Sequence, residues 1–132
     1  MEPRTEAHLA TAQHNHDFAR ALLEPAVARV FSSPPLEWAV VVAFYAAVHY
    51  VNAYLWERQR YEPRHHDDRE NAVTRAVGLR PSAWAYRRLR HLAYEARYVP
   101  LFRLPRRDAE TAVHTHLEQV AAAVRQALTS AR

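Results

Sequence analysis

Apolar positions near the start of the chain, Leu9, Ala12, Ala19, Leu22 and Leu23, recur at helical spacing and predict a helix from about Thr5 to Val30. Pro25 lies inside that stretch and predicts a kink or a break, because proline lacks an N–H and crowds the preceding turn. Ser32-Ser33-Pro34-Pro35 is a stop, and Ser33 followed by Pro34 offers N-cap and first-turn chemistry for the next helix. That helix, Leu36 to about Gln59, is apolar on every side. Between Trp38 and Trp56, seventeen of nineteen residues are apolar or aromatic, the exceptions being His49 and Asn52. Such a helix is either a membrane span or the central helix of a bundle or dimer. Three mid-span tyrosines (Tyr45, Tyr50, Tyr54), two central polar groups and the lack of a second such stretch favour the bundle, so no membrane is expected.

The pattern then turns polar, and Tyr61 to His66 read as a loop. Asp67 with Glu70 three positions later resembles a capping box with aspartate in the Ser/Thr role. It opens a short third helix that should end at Gly78, the residue suited to a left-handed C-cap. Ser82 then caps a fourth helix from Ala83 to Tyr98. Pro100 and Pro105 bracket an exposed turn, and a fifth helix runs from about Arg106 to Thr129. Strand-like alternation, internal repeats and low-complexity linkers are all missing. The expectation is one all-α domain over residues 1–132, a bundle of four to five helices.

Composition narrows the chemistry. With 132 residues and 49% hydrophobic content, the chain can build one core without staples. The absence of cysteine excludes a disulfide framework, a thiolate metal site and a thiol nucleophile. A single glycine excludes P-loops and dinucleotide fingerprints, and 25 alanines favour helices. All 18 basic residues are arginine, and lysine and isoleucine are absent, a bias expected of a GC-rich genome. Glu2, Arg4, Glu6 and His8 open the chain where an export signal would be apolar, so a cytoplasmic protein is expected. The net charge of +4 is unevenly spread: −3 over residues 1–57, +8 over 58–107 and −1 over 108–132. A positive middle third favours a polyanionic partner, RNA or DNA, over a neutral metabolite.

Nine histidines invite a test for metal. The close pairs are His14/His16, His65/His66 and His114/His116, and none has the i, i+3 or i, i+4 spacing that puts two imidazoles on one helix face. No metal or other cofactor is expected. His49 and Asn52 sit one turn apart on the apolar helix, either as a satisfied core pair or as the wall of a polar pocket where His49 serves as acid or base. The loop from Arg60 to Arg69, with His65 and His66, is the densest ionisable cluster. Arginine and histidine together suit phosphodiester chemistry, guanidinium stabilising phosphate charge and imidazole moving protons. On the fourth helix Ala85, Leu89, Leu92 and Ala96 should face the core. Arg87, Arg90, His91, Tyr94 and Arg97 fall on another face, suited either to phosphate contacts and base stacking or to simple solvation.

Several stretches taken together are similar to bacterial HEPN-domain proteins. They are residues 38–50, which include Phe44-Tyr45-Ala46-Ala47-Val48-His49-Tyr50, then His66-Asp67-Asp68-Arg69, then Tyr86-Arg87-Arg88-Leu89 leading to Ala96-Arg97-Tyr98. His14 to Ala19 fit the first helix of the same group, and the likeness covers roughly residues 8–100. The resemblance implies an all-α bundle that dimerises. In many members it also implies a metal-independent ribonuclease of toxin or antiviral-defence type, acting at a dimer cleft. There an arginine and a histidine promote attack of the ribose 2′-OH on phosphate. An antitoxin or a nucleotidyltransferase-type protein is the partner it implies. The family's arginine-to-histidine spacing is met by Arg60 with His65 or His66, and by Arg58 with His65. However, Tyr61 and Gln59 follow those arginines where a small polar or charged residue is usual. His66 and Arg69, with Arg60, His65 and His49, are the catalytic candidates. Arg87, Arg90, His91, Tyr94 and Arg97 are the candidate nucleic-acid contacts. The alternative the resemblance leaves is a non-enzymatic module that binds nucleic acid, a nucleotide or a partner protein.

Overall fold

The computed structural model describes residues 1–130. Among these, every regular element is helical. Helix α1 (Pro3–Leu23) ends where Pro25 breaks the expected long helix, and α2 (Pro25–Ala28) restarts with that proline in its first turn. Helix α3 spans Leu36–Gln59, as its apolar run predicts. Ser33 does not cap it: Pro35 is the N-cap, with no side-chain bond to the first turn. Instead Glu37 turns away and accepts the backbone N–H of Leu104 at 2.8 Å, tying the later turn to the start of α3. At the far end Arg60 takes the left-handed conformation (φ 52°), and its own guanidinium bonds the carbonyls of Trp56 and Glu57 at 2.8 and 2.9 Å.

Helix α4 (His66–Arg75) corrects two expectations. Its N-cap is His65 with no capping side chain, because Asp67 and Glu70 reach across to Arg90 instead. It stops at Arg75 with Ala76 extended, and Gly78 has no positive φ. The glycine answers a need for closeness. A Cβ there would stand 3.0 Å from Ala127 Cβ and 3.2 Å from Tyr54 Oη. A 3-10 turn (Arg80–Ser82) leads into α5 (Ala83–Tyr98); Ser82 Oγ bonds back to Leu79 O at 2.8 Å rather than capping the helix. Leu101, in the turn after α5, is left-handed (φ 59°) and 86% exposed. Helix α6 (Arg106–Thr111) passes through a π turn (Ala112–His116) into α7 (Leu117–Thr129).

Helix α3 is the axis of the bundle. It shares its most extensive contact with α1, and α5 and α7 pack on its other sides. Alanines at 39, 43, 46 and 47 of α3 and at 12 and 19 of α1 are fully buried, and side chains this small let helix axes approach closely. Although α3 is long and apolar enough to cross a membrane, 72% of its most apolar 18 residues is buried inside the protein.

The buried face of α1 is not purely apolar: Thr5, His8 and His16 lie on it with Ala12, Ala19, Leu22 and Leu23. Each polar group finds a partner, as burial demands. Thr5 Oγ1 donates to Glu57 at 2.9 Å. His16 lies between Tyr50 Oη (2.9 Å) and Glu118 (2.7 Å), and Arg20 also reaches Glu118. Arg125 of α7 lies over the Tyr50 ring and donates to its hydroxyl at 2.9 Å. A polar seam therefore joins α1, α3 and α7.

Candidate functional site

Along α3, Val42, Tyr45 and His49 are only half-buried and follow one another at helical spacing, with the exposed Trp38 before them and the buried Asn52 after them. This is the side of the central helix that its neighbours leave partly open. The polar members of the stripe collect side chains from three other helices. Asn52 Oδ1 accepts from Arg69 Nε at 2.9 Å, while Arg69 Nη2 donates to Pro63 O at 2.7 Å and Nη1 meets His66 Nδ1 at 3.1 Å. Arg69 is only 6% exposed, so all three of its nitrogens are committed inside the protein. The His66 ring packs against Phe44 and Tyr45, with centroids 5.2 and 6.5 Å apart. Arg97 donates to Tyr45 Oη at 2.7 Å and lies over the rings of Tyr45 and Tyr98. Its inward contact is thus a tyrosine.

His49 and Asn52 do not pair with each other. His49 Nδ1 meets His8 Nδ1 at 3.0 Å, and His8 Nε2 meets Glu62 at 3.0 Å, with Arg4 clamped on the same carboxylate. Burial lowers the His8 pKa against the opposing pull of Glu62. Burial also lowers that of His49, with the charges of His8 and Arg69 adding to the effect. For Glu62 burial works upward, but the hydrogen bond from Arg4 and the charge of His8 prevail and hold it below the usual range. His66 is lowered by burial and then by the charges of Arg69, Arg90 and Arg97, which outweigh the opposing charge of Asp67. Behind Arg69 the buried Tyr86 hydroxyl is pushed up to about 12 by burial.

The structure therefore brings His66, Arg69, His49, Arg90 and Arg97 into one neighbourhood. It leaves Arg60 apart, bonded to the end of its own helix and paired with Glu2 at 3.1 Å. His65, next to His66, is exposed. Arg87, Arg90, His91 and Tyr94 line, with Glu70, a shallow depression of about 380 Å³ on the outer face of α5. His91 faces Glu95 at 3.1 Å, and Arg90 bridges Asp67 and Glu70. Sequence reasoning missed His8, Tyr45 and Glu62 as members of the site. The available signal was the spacing of Tyr45, His49 and Asn52, a polar line on one side of an apolar helix. Among the described residues, no cluster of three or more histidine or acidic side chains is placed to hold a metal ion.

The family model for the HEPN domain matches residues 6–126, nearly the whole chain. The chain belongs to the HEPN-domain family. The match extends through most of α7, so the last helix, which lies beyond the residues that carry the resemblance, is part of the HEPN domain as well. It also encloses the polar cluster from His8 on α1 to Arg97 on α5. No curated protein and no solved structure matches the chain.

Proposed function

We propose that this HEPN domain binds RNA as a polyanion across the start of α4 and the outer face of α5. The observation that carries this reading is the outer side of α5, where Arg87, Tyr94 and Tyr98 are exposed beside the half-buried Arg97. Arg69 is a positioning group, since its nitrogens are already engaged. Arg97 has an Nη2 without a hydrogen-bond partner among the described residues, and Arg87 is exposed, so these two are the phosphate contacts. Tyr94 and Tyr98, 56% and 61% exposed with ring centroids 5.1 Å apart, offer faces on which unpaired bases stack. Fluorescence anisotropy with a labelled single-stranded RNA should show affinity falling steeply with salt. Each phosphate contact to a single strand contributes about 0.7 to the log–log slope, so Arg87→Gln/Arg97→Gln should flatten it by about 1.4. RNA that stays unbound at low salt would overturn the reading.

A second reading, metal-independent endoribonuclease, is favoured by a neutral imidazole, His66, set beside Tyr45 and Arg97. In it His66 and His49 are the catalytic imidazoles, Arg97 stabilises phosphate charge and Arg69 fixes the His66 ring. Purified protein should then cleave RNA in EDTA, and a folded His66→Ala variant should not. Turnover by neither protein leaves the binding reading alone.

The polar cluster also lies beside a surface suited to a second copy of the chain. Trp38 (64% exposed), Val99 and Leu101 line one depression as an apolar margin to it, and a homodimer would cover them. Sedimentation showing only monomer at high micromolar concentration would exclude that arrangement.

A further inference from the structure

Helix α4 has three different sides. Arg69 and Val73 are buried. Asp67 and Glu70 are clamped by Arg90 of α5. Asp68, Asn71 and Arg75 follow one another at helical spacing along a third side, which faces the end of α3. There Gln59 and Tyr61 form the opposite wall of a groove of about 350 Å³. Ala72 and Ala76 line it as well, and side chains this small leave it open.

Backbone geometry holds the Tyr61 wall in place. Arg60 turns left-handed, and the Tyr61 N–H donates to Leu55 O at 3.3 Å, so the chain folds back over the last turn of α3. The side chains that line the groove have no such commitments. Among the described residues, those of Gln59, Tyr61, Asp68, Asn71 and Arg75 make no hydrogen bond, ion pair or ring contact. Asp68 brings a negative charge to one end and Arg75 a positive charge to the other, seven residues or about 10 Å along the helix axis. Asn71 stands between them, and with Gln59 it offers amides that both donate and accept.

We infer that this groove binds a short zwitterionic peptide, with its ammonium group on Asp68, its carboxylate on Arg75 and its peptide groups on the two amides. The charges decide the class. A polyanion or a polyamine would set like charge against one end, whereas a ligand with one charge of each sign satisfies both. Length follows as well. An extended chain covers about 3.3–3.6 Å per residue, so about three residues span the distance between the ends. The amide side chains match the peptide groups in between, which carry a donor and an acceptor each. None of these residues belongs to the RNA-binding surface proposed above.

Triglycine is the probe. Amide proton–nitrogen spectra of the full chain, titrated with peptide to about 20 mM, should show saturable shifts at residues 59–61 and along α4. N-acetyl-triglycine amide, which carries neither charge, should bind at least about tenfold more weakly. Two variants assign the ends. Asp68→Asn should weaken triglycine about three- to tenfold yet leave binding of N-acetyl-triglycine unchanged, because that ligand has no ammonium group. Arg75→Gln should likewise weaken triglycine and leave triglycinamide, which has no carboxylate, unchanged. Both side chains are exposed, so these exchanges leave the core intact, and a merely structural effect would weaken every ligand alike. Lack of shifts at those residues, equal binding of the charged and blocked peptides, or variant effects indifferent to the ligand's ends would overturn the inference.

Discussion

Arg69 and Arg97 stand one helix apart and carry the same charge, yet their substitutions should differ in kind. Arg69→Met strands the Asn52 carbonyl and the Pro63 carbonyl inside the protein, and should lower unfolding free energy by at least about 2 kcal/mol in urea titrations. Arg97→Gln opens a half-exposed tyrosine hydroxyl to water, and should cost less than about 1 kcal/mol while weakening RNA binding. Nothing local in the sequence separates the buried Arg69 from the exposed Arg64 or Arg75. All three lie in a polar stretch with little apolar periodicity to show which side faces inward. Gly78 gives a second contrast. Its backbone suits any residue, so alanine there would ordinarily stabilise by stiffening the unfolded chain. Ala127 Cβ, 3.0 Å away, is fixed on α7 and cannot yield without moving the helix, so Gly78→Ala should lower Tm, at a cost of about 1–3 kcal/mol.

At the scale of elements, the helix bounds were the most legible feature. Leu36–Gln59 and Ala83–Tyr98 fall where apolar periodicity and prolines put them. The caps were not legible, because Ser33, Asp67 and Glu70 look like caps in sequence while better partners or other backbone turns claim those places in three dimensions. The polar seam of α1 was equally hidden: His8 and His16 are polar letters on a buried face, recognisable only once α3 and α7 supply Tyr50, His49 and Glu118. That seam has a pH consequence. His8, His16, His49, His66 and His116 are all held below 6.5, burial being the largest cause for each. Groups with depressed folded pKa values bind protons more readily when unfolded, so stability is full above 6.5 and falls as pH drops through it. Glu62 and Glu118, held below 4.5, add a further loss only at lower pH. Thermal melts should show Tm declining between about pH 7.5 and 5.5, before carboxylates titrate. A flat Tm over that interval would mean that these imidazoles take up protons alike in the folded and unfolded states.

For the molecule as a whole, the charge split read from sequence survives folding in part. Within the positive middle third α5 carries a net +3 while α4 is −1, and Asp67 and Glu70 of α4 neutralise Arg90, a pairing no count of charges reveals. The apolar margin of Trp38 and Leu101 was invisible as a surface, since one lies within the central helix and the other in a turn 63 positions later in the chain. If a second copy covers it, Trp38→Ala/Leu101→Ser should shift sedimentation from dimer to monomer with helix content unchanged.

The π turn at Ala112–His116 sets the phase of everything that follows it. A π turn carries one residue more than the α-helix around it, so α7 is rotated by about 100° from where an unbroken helix would put it. That rotation lets Glu118 face His16, Arg125 cover Tyr50, and Ala127 meet Gly78. Removing one residue, such as Thr115, would heal the helix and misalign all three contacts together. The local irregularity is thus a register mark, and the length of that turn is held by contacts up to eleven residues beyond it.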